Sequence, residues 1–321
     1  MPNLEQTSPI SRPPAQRLLA PHLLALRNPA SGKDDDGFDA FLEALRAKGA
    51  QVTVRELTPE AKLEALLEDA QTFFRVIAAG GDGTVSSVAH TLAGTAVPLM
   101  VYPAGTANLV ALNLDLPSDP VALAEVALTG RVTETDLAEL RFTDGEVLGF
   151  ALNAGAGLDA HIVADSESLK SKLGVGAYLA SALKNTNPTV ASFVLELDGR
   201  EVMTEGIGVM IVNHGRLQLG LEIAPDADAS DGKLEVVVIR AKSLAGLVPV
   251  VIGSLLQKMG LGAPDLDGRL EVHTATRVCV TSEPPLPVQY DGESTEHSTP
   301  FEAHVLPGAV HFVVGAEVVS A

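Results

Sequence analysis

The chain has one cysteine, Cys279, and no tryptophan in 321 residues. A lone thiol in a strand-like stretch excludes a disulfide framework and suits a reducing compartment, so the expected location is cytoplasmic. Basic residues are also scarce. There are 22 Lys and Arg against 41 Asp and Glu, a formal net charge of −19. That balance argues against a nucleic-acid partner and against electrostatic adhesion to an anionic membrane. Long apolar runs are missing. The longest uncharged stretch of the C-terminal half, residues 243–257, is shorter than the roughly 20 residues a membrane span requires. It reads as a buried helix, with an interfacial placement as the alternative. No signal-peptide pattern is found either. Residues 1–16 are rich in Pro and Ser with a single Arg, and residues 1–17 read as a disordered tail. What the chain does have is a hydrophobic content of 46% and a length that suits two folded domains.

The rest is organised around residues 73–93. Phe73, Phe74, Val76, Ile77 and Ala78, interrupted only by Arg75, read as a buried strand. Val85, Val88, Ala89 and Leu92 follow at the i, i+3, i+4, i+7 spacing of one helix face. Between them stands Gly80-Gly81-Asp82-Gly83-Thr84. Its glycines permit a sharp turn and close approach of a ligand to the backbone. The helix start offers unpaired N–H groups and a positive dipole end, a seat for phosphate. Asp82 suits that seat if a cation lies between it and the phosphate, and ATP arrives with magnesium. No G-x-x-x-x-G-K-[ST] occurs, so no Walker lysine serves this cradle. A plain strand-to-helix turn of an α/β domain is the competing local reading. About twenty residues on, a strand at 97–102 enters a second such turn, Pro103-Ala104-Gly105-Thr106-Ala107-Asn108. Two such turns on adjacent strands would face each other across one crevice at the carboxyl edge of a sheet.

Upstream, residues 18–26 read as a strand entering the loop Asn28-Pro29-Ala30-Ser31-Gly32-Lys33. Phe38, Phe41, Leu42 and Leu45 mark a helix over 35–49, and Val52, Val54 and Leu57 a strand. Thr58 reads as an N-cap before Pro59 at the first position of a helix reaching about residue 71. A helix at 119–130 closes the βα alternation. Strands then dominate, at 133–142, 147–153, 190–197, 202–213, 234–239, 270–280, 288–290, 301–306 and 309–314, with a hairpin turn at Asp198-Gly199 and helices near 169–184 and 243–257. The expected fold is a parallel α/β nucleotide-binding domain, residues 18–130, followed by a mainly antiparallel, sandwich-like β domain, residues 131–321, with its C-terminal end able to pack back on the first. Residues 155–160 match a dinucleotide fingerprint but lack a following βαβ unit, so NAD is not expected there. Asp226, Asp228 and Asp231 suggest a solvated turn or an oxygen-ligand cation site. His90, His161, His214 and His273 show no ligand spacing and read as structural.

Taken together, Asn28-Pro29-x-Ser31-Gly32, the Gly80–Thr84 turn, Pro103-x-Gly105-Thr106-x-Asn108, Asp231-Gly232-x-Leu234 and Asp291-Gly292-Glu293 resemble, in order, the motifs of the diacylglycerol-kinase catalytic-domain family. Asn153, Gly157, Asp159 and Ala160 resemble a further segment of it. The resemblance covers residues 28 to about 315 and implies an ATP-dependent lipid kinase. It implies nucleotide contacts from Asn28, Pro29, Ser31, Gly32, Thr58, Gly80, Gly81, Asp82, Gly83, Thr84, Gly105, Thr106 and Asn108. It implies that Asp82 and Asp136 hold magnesium-bound water and that Glu293 takes the proton of the acceptor hydroxyl. A structural magnesium is implied at Asp231, with Asp228 and carbonyls including that of Lys233. The cofactors are then ATP and Mg2+, and the acceptor is diacylglycerol or a related lipid met transiently at a membrane surface, with a homodimer left open. The chain departs from many relatives at Leu109 and Leu112, where they carry an acidic and a basic residue. Two other readings stand beside this one: an NAD kinase-like enzyme with a soluble acceptor, which shares the Gly80–Thr84 residues, and a nucleotide- or lipid-binding member impaired in catalysis, prompted by Leu109.

Overall fold

Strands β1 (His22–Arg27), β2 (Gln51–Glu56), β3 (Arg75–Gly80) and β4 (Pro98–Pro103) run parallel in the order β2-β1-β3-β4. The computed structural model describes residues 20–31, 35–157, 188–216, 224, 227–240 and 270–315. The expected tail, the helices at 169–184 and 243–257, Gly32, Asp159, Ala160, His161 and Asp226 lie outside them. All six residues of β3 are buried, as expected of a parallel strand covered on both faces. Helices α1 (Asp35–Ala47) and α5 (Pro120–Thr129) cover one face, where Phe41 and Leu123 pack with Ile77 and Met100. Helices α3 (Asp82–Thr91) and α4 (Leu109–Asn113) cover the other, where Val85 and Val110 pack with Val76 and Val101. The chain leaves β1 toward β2 on one side and β3 on the other. That reversal places a crevice at the carboxyl ends of β1 and β3.

Arg75, which interrupts the apolar run, is buried. Its guanidinium donates to the carbonyls of Val126, Ala127 and Gly130 at 3.1, 2.7 and 2.7 Å. It therefore serves the negative end of α5, while Asp119 Oδ1 accepts the Ala122 N–H at 2.8 Å at the other end. The helix expected from Thr58 is not continuous. Only α2 (Leu63–Leu66) is helical, and Ala70–Thr72 form a 3₁₀ turn. The Thr58 carbonyl accepts the Ala61 N–H at 3.0 Å, closing a turn around Pro59 rather than capping a helix. Packing of Leu63, Leu66, Leu67 and Ala70 against the sheet prevails there over helical propensity.

In the second half, β5 (Arg131–Phe142) and β16 (Phe301–Val314) pair antiparallel along nearly their whole length. β16 also pairs parallel with β4 through His311 and Phe312. One sheet thus runs on from the α/β region, through β16, to β13 (Arg277–Glu283), β8 (Ala191–Leu197) and β9 (Arg200–Gly206), with β6 (Val147–Phe150) on the outer side of β5. A second sheet has the order β12-β11-β10-β7-β14-β15, formed by Leu270–Ala275, Leu234–Ile239, Gly208–Val212, Asn153–Ala156, Pro287–Tyr290 and Glu293–Ser298. Phe150, Phe193 and Phe301 of the first sheet pack with Val209, Val236 and Val288 of the second. The fold is therefore an N-terminal parallel α/β region followed by a mainly antiparallel, sandwich-like β region, the class expected from the sequence.

Three runs expected as single strands are each broken into two strands in different sheets. The breaks fall at Ala151-Leu152, Ile207 and Thr276. Apolar periodicity does not register such a corner, because residues on both sides of it face the same core. Conversely, 301–306 and 309–314 form one strand whose register shifts between Leu306 and Val310. Among the described residues, no helix is long and apolar enough to cross a membrane.

Candidate active site

At the carboxyl edge, β3 ends on Gly80, Gly81 precedes α3, and Asp82 begins it. The second turn follows β4, and the two turns meet backbone to backbone. A Cβ added to Gly105 would fall 2.5 Å from Gly81 Cα, so this contact requires glycine. The turn after β4 is fastened by Asn108, which has φ 50 and ψ 44. Its Oδ1 accepts the Gly105 N–H at 2.8 Å, and its Nδ2 donates to the Gly105 carbonyl at 2.9 Å. Thr84 gathers the end of β1: Asn28 Nδ2 donates to its hydroxyl at 2.9 Å, and Ser31 Oγ lies 3.5 Å away. The Ala30 N–H in turn donates to Asn28 Oδ1 at 3.0 Å. Pro29 lies in that exposed turn, and Thr58 and Thr106 are exposed at the same edge. The crevice is thus lined by glycine backbone, with hydroxyl and amide side chains tied to one another.

The acidic residues separate into different tasks. Asp82 Oδ1 accepts the Val110 N–H at 2.9 Å. Burial pushes its pKa up, partly offset by the N–H groups of Val110, Leu109 and Asn108. Its carboxyl thereby ties the first turn to the start of α4. Glu293 comes from the other half of the chain, at the start of β15. A Cβ added to Gly83 would lie 2.7 Å from Glu293 Oε1, so this exposed carboxylate stands directly against the first turn of α3. Asp291 and Gly292, with φ 45 and 84, form the hairpin turn that precedes it. Asp291 and Gly292 thus turn β14 into β15, and Glu293 follows them directly beside the glycine turn.

Asp291 anchors the hairpin. Its carboxylate accepts the N–H groups of Ala151, Leu152 and Asn153 at 2.8, 2.8 and 3.1 Å. Burial raises its pKa against the pull of these donors. Asp136 is 1% exposed, and its bonds do not go to the glycine turns. Oδ1 accepts the Gly308 N–H and Oδ2 the Gly232 N–H, both at 2.7 Å. It clamps β5 to the register shift of β16 and to the loop before β11. Asp228 and Asp231 in that loop are exposed. Asp228 Oδ1 accepts from Ser230 N–H and Oγ at 3.0 and 2.6 Å, and Asp231 Oδ1 accepts the Lys233 N–H at 2.9 Å. The Lys233 ammonium lies 3.8 Å from Asp231 Oδ2.

A cavity of about 220 Å³ separates α3 from the β region. One wall is the α3 stripe Gly83, Ser86, Ser87 and His90. The other is β6, through Val147, Leu148 and Gly149, with Tyr290, Asp291 and Glu293 of the hairpin. His90 thus borders the site, whereas His214 and His273 do not. His214 is buried, with its pKa pushed down to about 4 by burial, and His273 Nε2 lies 2.9 Å from Glu271. Reading the polar stripe of α3 at i, i+3, i+7, opposite Val85, Val88 and Leu92, would have singled out His90.

Residues 22–140 match the family model described as the diacylglycerol kinase catalytic domain. Residues 153–314 match the YegS C-terminal NAD kinase beta sandwich-like domain. A protein from Pseudomonas fluorescens (strain ATCC BAA-477) named "Probable lipid kinase YegS-like" is 30% identical over 274 residues, 81% of this chain and 85% of the relative. A diacylglycerol kinase from Mycobacterium tuberculosis (strain H37Rv) is 31% identical over 176 residues. That overlap spans 54% of this chain and a little more than half, 57%, of the relative. The crystal structure of a diacylglycerol kinase from Bacillus anthracis str. Sterne superposes with a TM-score of 0.71 at 22% identity, covering 93% of this chain and 98% of that one. The two share a fold.

Proposed function

The chain belongs to the lipid kinase family defined by the diacylglycerol kinase catalytic domain, and we propose that it transfers the γ-phosphoryl group of ATP to the hydroxyl of a lipid, diacylglycerol or a relative. The observation that carries this reading is the approach of Glu293, from the β region, to Gly83 at the glycine turn of the α/β region. An acid–base group and a phosphate seat then flank one cavity.

The residues fit a nucleotide. The Gly81–Gly105 contact leaves a cradle free of side chains, and the N–H groups at the start of α3 suit phosphate oxygens. Thr84, held by Asn28 and Ser31, borders that seat, as do Gly105 and Thr106. Asp82 would hold magnesium through water, since Oδ1 already accepts from Val110. A bound magnesium would neutralise charge on the phosphates during transfer. Glu293 accepts the proton of the acceptor hydroxyl as the new bond to phosphorus forms. Asp291 fixes the hairpin from which Glu293 projects, and Asp136 holds the β region in register.

One observation favours a second reading. Leu109, at the first position of α4, packs partly buried on the core, so Asp82 has no carboxylate neighbour there. A member that binds nucleotide and lipid with little turnover would look the same. Incubation with radiolabelled ATP and a lipid extract, beside NAD and buffer alone, separates these readings. Label in the lipid fraction is expected. Label in the dinucleotide fraction would overturn the lipid reading, and label in neither would favour the binding-only one.

A further inference from the structure

One cluster of side chains outside the crevice has no part in phosphoryl transfer. Asp144, Glu146 and His297 each offer one ligand atom, and these atoms all lie within 4.8 Å of one another. Among the described residues, no other three His, Cys, Asp or Glu side chains converge in this way. The two carboxylates come from the turn between β5 and β6. In that turn the Phe142 N–H donates to the Glu146 carbonyl, and the Gly145 N–H to the Phe142 carbonyl, both at 3.0 Å. Gly145, with φ 94, takes a conformation that favours glycine. Asp144 Oδ1 accepts the Glu146 N–H at 3.0 Å, which leaves Oδ2 for the histidine. His297 comes from β15, 151 positions along the chain from Glu146. Its ring stacks on Phe142, with centroids 3.9 Å apart and planes 14° from parallel. So held, Nε2 lies 2.7 Å from Glu146 Oε2 and Nδ1 3.8 Å from Asp144 Oδ2.

Other histidines meet acids differently. His273 with Glu271, and His304 with Glu302, are neighbours two residues apart on one strand. His311 faces Glu134 across a strand pair. Each has a single carboxylate among the described residues. At His297, two carboxylates are drawn to one ring from a separate hairpin, and they repel each other unless positive charge lies between them. A divalent ion supplies that charge twice over. One nitrogen and two oxygen donors suit zinc, whereas magnesium and calcium prefer oxygen alone. Ligands about 2 Å from a tetrahedral zinc stand roughly 3.3 Å apart, so side-chain shifts of about 1 Å close the site. Both carboxylates are exposed, and water can complete the shell. We infer that Asp144, Glu146 and His297 bind a zinc-class divalent cation that pins the β5–β6 turn to β15. Val147, next to Glu146, lines the cavity, and Glu293 starts the strand that carries His297. The ion therefore braces the β wall, apart from the magnesium that accompanies ATP.

Calorimetric titration of zinc chloride into the full chain, free of any histidine tag and stripped by chelator, tests this. Wild type should bind one zinc ion with an affinity that His297→Ala lowers roughly 100-fold and Glu146→Gln roughly tenfold. Zinc should raise the melting temperature of wild type and of neither variant. His311→Ala, which removes a pair with one carboxylate, should titrate like wild type. Magnesium at the concentration used with ATP should not displace the zinc. Glu146 is exposed in its turn, so Glu146→Gln decides the matter if His297→Ala does not fold. Absence of a saturable zinc site, or displacement by magnesium, would overturn the inference. So would zinc bound equally well by wild type and Glu146→Gln, or lost equally in His311→Ala, since either marks an adventitious ion only. None of these readouts involves phosphoryl transfer, so failure here leaves the kinase reading standing.

Discussion

The two walls of the cavity are built on different plans. The α/β wall is backbone: Gly81 and Gly105 touch, and the polar side chains around them, Asn28, Thr84 and Asn108, bond to one another or to their own turns. The β wall presents one exposed carboxylate, Glu293, on a hairpin fastened by Asp291. Rigid backbone suits a ligand whose phosphates are always the same. A single side chain on an anchored hairpin suits a reaction step. The contrast predicts that damage to the first wall appears in nucleotide binding, and damage to the second in turnover.

The largest effect on the first wall should follow Gly105→Val. The added Cβ meets Gly81 Cα at 2.5 Å, an overlap costing about 1–3 kcal/mol. Magnesium–ATP affinity measured by calorimetry should fall up to about 100-fold. Gly81→Val meets Gly105 Cα only at 3.5 Å, so it should fold and lose affinity because its branched side chain covers the phosphate seat. Unchanged affinity in both variants would dissolve the contrast.

Asp136→Ala should show that this carboxylate belongs to neither wall. It strands two half-buried N–H groups, those of Gly232 and Gly308, at a cost of about 1–3 kcal/mol. Denaturant midpoints should drop, while kcat per folded molecule stays near wild type. Normal stability with collapsed turnover would instead return Asp136 to the magnesium network.

Asp291 sharpens the comparison through pH. Burial raises its folded pKa above the ordinary aspartate range, so the folded state binds the proton more tightly than the unfolded chain. The titration-linked stabilisation is complete below the unfolded pKa and is lost as pH rises through the folded one. The stability difference between wild type and Asp291→Asn, followed from about pH 3 to pH 7, should therefore shrink as pH rises. A difference that grows would contradict the assignment.

The smallest effect belongs to the loop before β11. Asp231 is exposed and accepts the Lys233 N–H within its own turn. Asp231→Ala should lower the melting temperature slightly, and more in magnesium than in chelator, if a cation bridges it to Asp228. An identical melting temperature for variant and wild type in both media would remove that site.

The architecture was legible where local chemistry permits few alternatives. Glycine between an apolar strand and an amphipathic helix announces a phosphate-competent turn, and repetition of that pattern announces a parallel sheet with both turns at one edge. The corners at Ile207 and Thr276 were not legible, because a strand that changes sheet keeps the same apolar face toward the core. β15 was hidden because Glu293–Ser298 is polar throughout and lies at a sheet edge. The Thr58 helix was over-read because a cap and a proline describe how a helix starts, not whether packing lets it continue. Asp136 and Asp82 look alike as single acids after turns. Only their N–H partners, three-dimensional neighbours far away in the chain, separate a clamp from a residue of the crevice.

The most direct test of the account is Glu293→Gln assayed on a lipid that the wild type phosphorylates, with ATP binding measured on the same preparation. A general base predicts a kcat lower by about 10²–10⁴-fold with nearly unchanged ATP affinity. A near-normal kcat would remove Glu293 from the mechanism, and with it the assignment of turnover to the β wall.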